Sequence, residues 1–338
     1  MAPSPDRHRI DVHADAQTRL KVMAEDVHRG LTARPRWLPP KYFYDAAGSA
    51  LFDEITRLPE YYLTRVETAL LDTLAPALMG ALRPRDVVEL GSGFSQKTRR
   101  LLGARRDHVL RYTPVDVDET ALAASAGRLL AEDAGLRVHA IVGDFERHLV
   151  HVPARAGRRL VLFLGSTIGN LDAPARHALL GQVRTLLQRG DRLLLGVDLV
   201  KDRAVLEAAY DDAAGVTARF NRNILHVIND ALDADFRPEA FRHHAWYNGG
   251  AQRIEMHLVA DRRQTVRVRG IDLALHFEAG DDIWTESSYK FTRASVQAML
   301  AAAGLRLDRW HTDPGQRFAL ALAGRATRAA TAPALAEP

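Results

Sequence analysis

The chain of 338 residues has no cysteine, and its 46 lysines and arginines stand against 42 aspartates and glutamates, a formal charge of +4. Missing thiols exclude a disulfide scaffold, a cysteine nucleophile, thiolate zinc sites and iron–sulfur clusters. So small a basic surplus, scattered among acids, argues against a nucleic-acid partner, and the length allows one large domain or two ordinary ones.

Segment 1–30 carries His8, Arg9, Asp11, Asp15, Lys21 and Glu25 without an apolar core, unlike a signal peptide. No stretch approaches the ~20 apolar residues that span a bilayer, so a cytoplasmic location without a membrane partner is expected. From residue 86 onward, strand-sized apolar runs alternate with helical patterns, the signature of a parallel sheet covered by helices. Strands are expected at Asp86–Leu90, 112–117, Arg137–Val142, 159–164 and 191–197, and helices at 97–102, 119–131 and 175–188. After Asp198 the alternation stops. Residues 201–214 read as helical, strand runs follow at 253–259 and 265–268, and a helix at 293–303 precedes strands at 305–311 and 317–323. The simplest topology is a doubly wound sheet interrupted after its fifth strand by an insertion too long to be a loop. Residues 1–80 then pack on that insertion, and the tail 326–338, rich in Ala and Pro, is expected to be disordered.

Ligands of such sheets sit beyond the carboxyl ends of the strands. Those ends read Gly91-Ser92-Gly93, Asp116, Asp144-Phe145 and Gly165-Ser166-Thr167-Ile168-Gly169-Asn170. Glycines at 91 and 93 let the backbone approach a ligand closely. Asp116, 25 residues beyond Gly91, suits ribose hydroxyls, and Asp144 with the Phe145 amide suits an adenine edge. A nicotinamide dinucleotide would require a third glycine where Gln96 stands, which disfavours an oxidoreductase. Together these positions favour S-adenosylmethionine as cofactor. Metal and nucleophile patterns are absent: the 14 histidines show no His-Glu-x-x-His spacing, and no Gly-x-Ser-x-Gly elbow occurs.

Longer motifs carry a resemblance. They are Pro39-Pro40-Lys41-Tyr42-Phe43-Tyr44-Asp45, Ile55-Thr56-Arg57-Leu58-Pro59-Glu60-Tyr61-Tyr62, the 210–223 run YDDAAGVTARFNRN, Arg253-Ile254-Glu255-Met256 and Thr285-Glu286-Ser287-Ser288. With these the chain resembles the histidine-specific Nα-methyltransferases that form hercynine for ergothioneine biosynthesis. The resemblance implies a Rossmann-like, seven-stranded class I methyltransferase sheet (residues 81–198 and 289–325) and a second α+β substrate-binding domain (residues 1–80 and 199–288). It implies cofactor contacts at Gly91, Lys97, Asp116, Asp144 and Phe145, to which the glycine turn adds Ser92 and Gly93. It also implies an amino-acid site of Tyr61, Asn170, Tyr210, Glu286 and Ser288, with Tyr44 near the reacting amine; Gly165 at the end of its strand and Met256 are expected beside them as substrate-binding residues. Free L-histidine is then the substrate and a monomer is expected; tyrosine or tryptophan is the alternative substrate.

N-methylation needs a neutral amine aimed at a sulfonium methyl, with water excluded. Neutral donors at Asn170 and Tyr210 suit the substrate carboxylate, because another cation would sit near the sulfonium. Glu286 and Ser288, two apart on a strand, face the same way and suit an imidazole. Read alone, Asn170 would cap the next helix, Glu286 would be a solvated strand acid, and Met256 would be core as readily as pocket lining. The sequence departs from the family pattern at Phe94, Trp284 and Tyr289, each larger than or different from the residue the pattern leads one to expect.

Overall fold

The computed structural model describes residues 7–13, 15–104 and 109–326; the expected disordered tail lies outside these apart from residue 326. Strands run, in chain order, β1 (His8–Val12), β2 (Asp86–Leu90), β3 (Arg111–Asp116), β4 (Arg137–Val142), β5 (Arg159–Phe163), β6 (Arg192–Asp198), β7 (Phe241–Asn248), β8 (Arg253–Ala260), β9 (Gln264–Val268), β10 (Leu273–Phe277), β11 (Asp282–Tyr289), β12 (Leu305–Thr312) and β13 (Phe318–Arg325). The central sheet has the order β1-β4-β3-β2-β5-β6-β13-β12. Its pairs are parallel except those of β13, which runs antiparallel to both β6 and β12. Every residue of β2 and β5 is buried, as expected for strands covered by helices on both faces.

Two differences from the sequence reading stand out. The sheet has eight strands rather than seven, because β1 pairs in parallel with β4, placing Ile10 opposite Ala140. Residues 8–12 therefore belong to the sheet edge and do not pack on the insertion. With His8, Arg9 and Asp11 against only Ile10 and Val12, the alternation is too short to mark a strand. The helix expected over 201–214 is also shorter, Arg203–Ala208, and a longer helix follows at Val216–Leu232. Gly215, at φ 68°, separates the two; only a residue without Cβ adopts that conformation freely.

Strands β7, β8 and β11 form a separate antiparallel sheet, and β9 pairs with β10. The N-terminal segment joins the first of these: the Leu38 amide donates to the Trp284 carbonyl and the Trp284 amide to the Arg36 carbonyl, both at 2.9 Å. Chain order in the central sheet reverses between β2 and β5, so a crevice opens beyond their carboxyl ends. The three-stranded sheet and the segment 37–61 wall that crevice.

Candidate active site

A cavity of about 970 Å³ fills the crevice and is lined by all fifteen residues expected from sequence. At one end lies the glycine turn after β2. Gly91 and Gly93 have φ of 65° and 46°, and an added Cβ on Gly93 would meet nothing within 4 Å. The Ser92 hydroxyl between them is buried without a partner among the described residues. Asp116, at the end of β3, accepts from the Gly93 amide at 2.7 Å and the Asp118 amide at 3.0 Å. Burial raises its carboxyl above the ordinary value, against the pull of those amides. Asp144 caps the short helix Phe145–His148 and lies 3.6 Å from the Lys41 ammonium. The Phe145 ring packs edge-on against Phe163, 5.3 Å between centroids.

Lys97 faces this end from the helix Gln96–Ala104, paired with Glu67. Glu67 comes from the helix Tyr62–Leu82, is completely buried, and accepts the Gly165 amide through both oxygens at 2.8 and 3.0 Å. Its access depends on Gly196, where a Cβ would stand 2.2 Å from Oε1. One carboxylate thus fixes both the lysine and the loop after β5. Sequence reading missed Glu67, which looks like any acid on an amphipathic helix.

The other end is aromatic and polar. Tyr44 follows a single helical turn, Pro40–Phe43, and its loop is pinned by Asn223, whose amide reaches Asp45 at 2.7 Å. The Tyr44 ring meets Phe52 and Phe220 edge-on at 5.7 and 5.6 Å. Burial, with the charges of Glu286, Asp116 and Tyr210 adding to it, pushes its phenol well above the ordinary value, so Tyr44 holds its proton. Tyr61 packs edge-on against Tyr210 at 6.2 Å. Asn170 ends the turn Thr167–Asn170, and Asp172, not Asn170, caps the next helix. The side chain of Asn170 is therefore left to the cavity.

Glu286 and Ser288 lie on β11 beyond a bulge at Thr285, where the register against β8 shifts so that Glu286 stands opposite Met256. Such bulges re-aim side chains. The Thr285 hydroxyl holds this one, donating to Asn221 at 2.6 Å and to the Met256 carbonyl at 3.1 Å. Met256 is 1% exposed and both packs in the core and lines the cavity. The Glu286 carboxyl has no hydrogen-bond partner among the described residues, and burial raises it to about 7, opposed only by the charge of Lys290. The Ser288 hydroxyl bonds the Tyr210 hydroxyl at 2.7 Å.

The expectation of neutral donors alone around the substrate carboxylate meets a difference. Lys290 donates to both Tyr210 and Ser288 at 2.9 Å and pairs with Asp198. Two residues beyond Ser288 on the same face, it continues a spacing that could have revealed it. Trp284 and Tyr289 form an outer wall rather than a plug. The Trp284 indole N–H donates to the Glu286 carbonyl at 2.8 Å, and the Arg253 guanidinium lies 4.3 Å over its ring while donating to the Tyr289 hydroxyl at 2.6 Å. Phe94, 41% exposed, sits at the cofactor end of the cavity.

The cofactor end fits S-adenosylmethionine by its donor set: a glycine turn with room for close approach, an unpartnered buried hydroxyl, a carboxylate beyond β3 and an ammonium opposite. With strands reversing at β2 and β5 and an antiparallel β13, this defines a class I S-adenosylmethionine-dependent methyltransferase. The chain belongs to the family of histidine-specific, S-adenosylmethionine-dependent methyltransferases, whose model matches residues 23–325. It is 52% identical over 312 residues to a histidine N-alpha-methyltransferase of Mycolicibacterium smegmatis, covering 92% of this chain and 97% of that protein. A histidine N-alpha-methyltransferase of Mycobacterium tuberculosis is 51% identical over 90% of this chain and 95% of its own length. Ergothioneine biosynthesis protein 1 of Schizosaccharomyces pombe is 33% identical over 57% of this chain and 26% of its own length.

Proposed function

We propose that the protein trimethylates the α-amine of free L-histidine to hercynine, a step of ergothioneine biosynthesis. Glu286 carries the reading: a half-buried carboxyl on the cavity wall with no hydrogen-bond partner among the described residues, two residues from a buried hydroxyl. Such a group is costly to bury unpaired and matches a ligand that brings ring N–H donors. It selects against amino acids without them, because their binding leaves the charge unmatched.

When bound, S-adenosylmethionine supplies an electrophilic methyl group at its sulfonium. Gly91, Ser92 and Gly93 would hold its amino-acid part with Lys97, Asp116 would receive the ribose hydroxyls, and Asp144 and Phe145 would border the adenine. Asn170 and Tyr210 hold the histidine carboxylate, with Tyr61 beside them and Gly165 shaping the loop. Glu286 and Ser288 hold the imidazole. Tyr44, Phe52 and Phe220 form an aromatic wall that excludes water and tolerates the permanent cation produced on nitrogen. Tyr44 keeps its proton, so it orients the amine rather than acting as a base.

We place residues 81–198 and 289–325 in the methyl-transfer lobe and residues 13–80 and 199–288 in the lobe that selects the amino acid. A cytoplasmic monomer without nucleic-acid or membrane partners completes the proposal. Several of its arginines pair with acids, as in Arg100–Asp72, Arg155–Asp191 and Arg159–Asp86. Among the described residues no helix is long and apolar enough to cross a membrane. Replacing Glu286 by Ala tests the site: histidine affinity is expected to fall about tenfold or more while S-adenosylhomocysteine affinity holds. Unchanged histidine affinity would contradict the assignment.

A further inference from the structure

Below the amino-acid end of the cavity lies a charge cluster that the proposed reaction does not by itself require. Asp198, at the end of β6, is completely buried with Lys290. It also accepts from the Tyr62 hydroxyl through both oxygens at 2.8 Å and from Lys201 at 2.6 Å. Burying such ions is costly before pairing, and apolar residues of similar volume are often as stable. A cluster like this calls for a reason beyond stability.

The reason lies in counting protons. An ammonium has three, and Lys290 spends them on Asp198, Tyr210 and Ser288, each at 2.9 Å. Both hydroxyl oxygens therefore accept from the lysine. Those oxygens are 2.7 Å apart, so one hydroxyl donates to the other. A single hydroxyl proton is left for a ligand. If Ser288 donates to Tyr210, the phenol points its proton into the cavity and Ser288 offers a lone pair. In the opposite register Ser288 donates into the cavity, and Tyr210 has only a lone pair to face a carboxylate, which is repulsive.

We propose that Lys290 is a positioning residue that fixes the Tyr210 and Ser288 hydroxyl oxygens and fills one lone pair on each, so that with a substrate carboxylate at Tyr210 the pair offers one donor to that carboxylate and one acceptor to a ring N–H. This rests on the histidine reading above. The two ends of the substrate are thereby read by one shared proton: binding the carboxylate selects a ring whose nitrogen toward Ser288 is protonated. Glu286 then meets the other nitrogen, either accepting from it as a carboxylate or donating to it as an acid. Lys201 touches the same Asp198 but neither of the two hydroxyls.

The test compares the full-length protein with Lys290→Met and Lys201→Met, using L-histidine and 3-(thiazol-4-yl)-L-alanine, whose ring has an acceptor nitrogen but no N–H. Lys290→Met is expected to raise the histidine KM about tenfold or more, with kcat changed less. It should also narrow the preference for histidine over the thiazole and leave S-adenosylhomocysteine affinity in place. Lys201→Met should move none of these. An unchanged histidine KM in Lys290→Met, or an equal rise in Lys201→Met, would overturn the proposal. So would a raised KM with the ring preference intact, which would make Lys290 a plain charge. Should Lys290→Met not fold, Tyr210→Phe removes the same relay and must narrow the same preference; an intact preference there also overturns it. If the wild-type protein methylates the thiazole analogue but not histidine, the histidine reading fails and the register with it. Wild-type activity on histidine with an unmoved Lys290→Met isolates failure of the register alone.

Discussion

Glu286 shows how far one side chain can shape this site. Burial raises its carboxyl from 4.5 to about 7, so the ionised form is the costly one in the folded protein. Its contribution to stability is most favourable below pH 4.5 and declines as the pH rises through about 7. Without substrate, Glu286→Gln should therefore gain in Tm relative to the wild type as pH goes from 4.5 to 7, read by thermal melts across that range. A gap independent of pH would contradict the buried, partnerless environment. Tyr44 poses the opposite case. Its phenol, raised by burial, stays protonated through the working range, so Tyr44→Phe should leave the shape of the pH–rate profile unchanged, whatever it does to kcat. Loss of the rising limb on the acid side would make Tyr44 the proton acceptor. Both residues stood out in the sequence only through their long motifs. Neither an acid on a strand nor a tyrosine after a turn carries a local signal of depth.

Elements rather than residues decide where Lys97 points. The helix Tyr62–Leu82 lays Glu67 across the sheet to reach both Lys97 and the Gly165 amide, and Gly196 on β6 leaves it space. Glu67→Gln keeps the shape and removes the charge. It should weaken S-adenosylhomocysteine binding about tenfold while the histidine KM at saturating cofactor moves little, as calorimetry and kinetics would show. Gly196→Ala should weaken cofactor binding in the same direction by displacing Glu67, and unaltered binding in both variants would refute the coupling. The strand ends themselves were legible, because a βαβ alternation is local and its glycines and carboxylates fall at fixed places in it. Glu67 was not, since the groups it serves lie 98 residues away at Gly165 and 30 away at Lys97. The bond between Lys290 and Tyr210, 80 residues apart, was hidden for the same reason. Local pattern also misplaced the helix after β6, because the first helix stops at Ala208 and the chain turns over residues 209–214 before Gly215 opens the next helix.

On the scale of the molecule, the cavity is shared. The central sheet supplies its glycine turn and carboxylates, whereas the segment 37–61 and the sheet of β7, β8 and β11 supply its aromatic and polar wall. Strand β1 lies outside this division, at the sheet edge. Deleting residues 1–12 should lower Tm by several degrees and leave the histidine KM unchanged; a lost histidine KM would place the edge strand within the recognition apparatus. On the proposed function, the second wall admits histidine and the first holds the methyl donor. Its most direct test is to incubate the protein with isotopically labelled S-adenosylmethionine and each of the common amino acids separately, reading products by mass. Histidine alone gaining up to three methyl groups on its α-nitrogen is the expected result. Methylation of tyrosine or tryptophan with histidine left untouched would contradict the account.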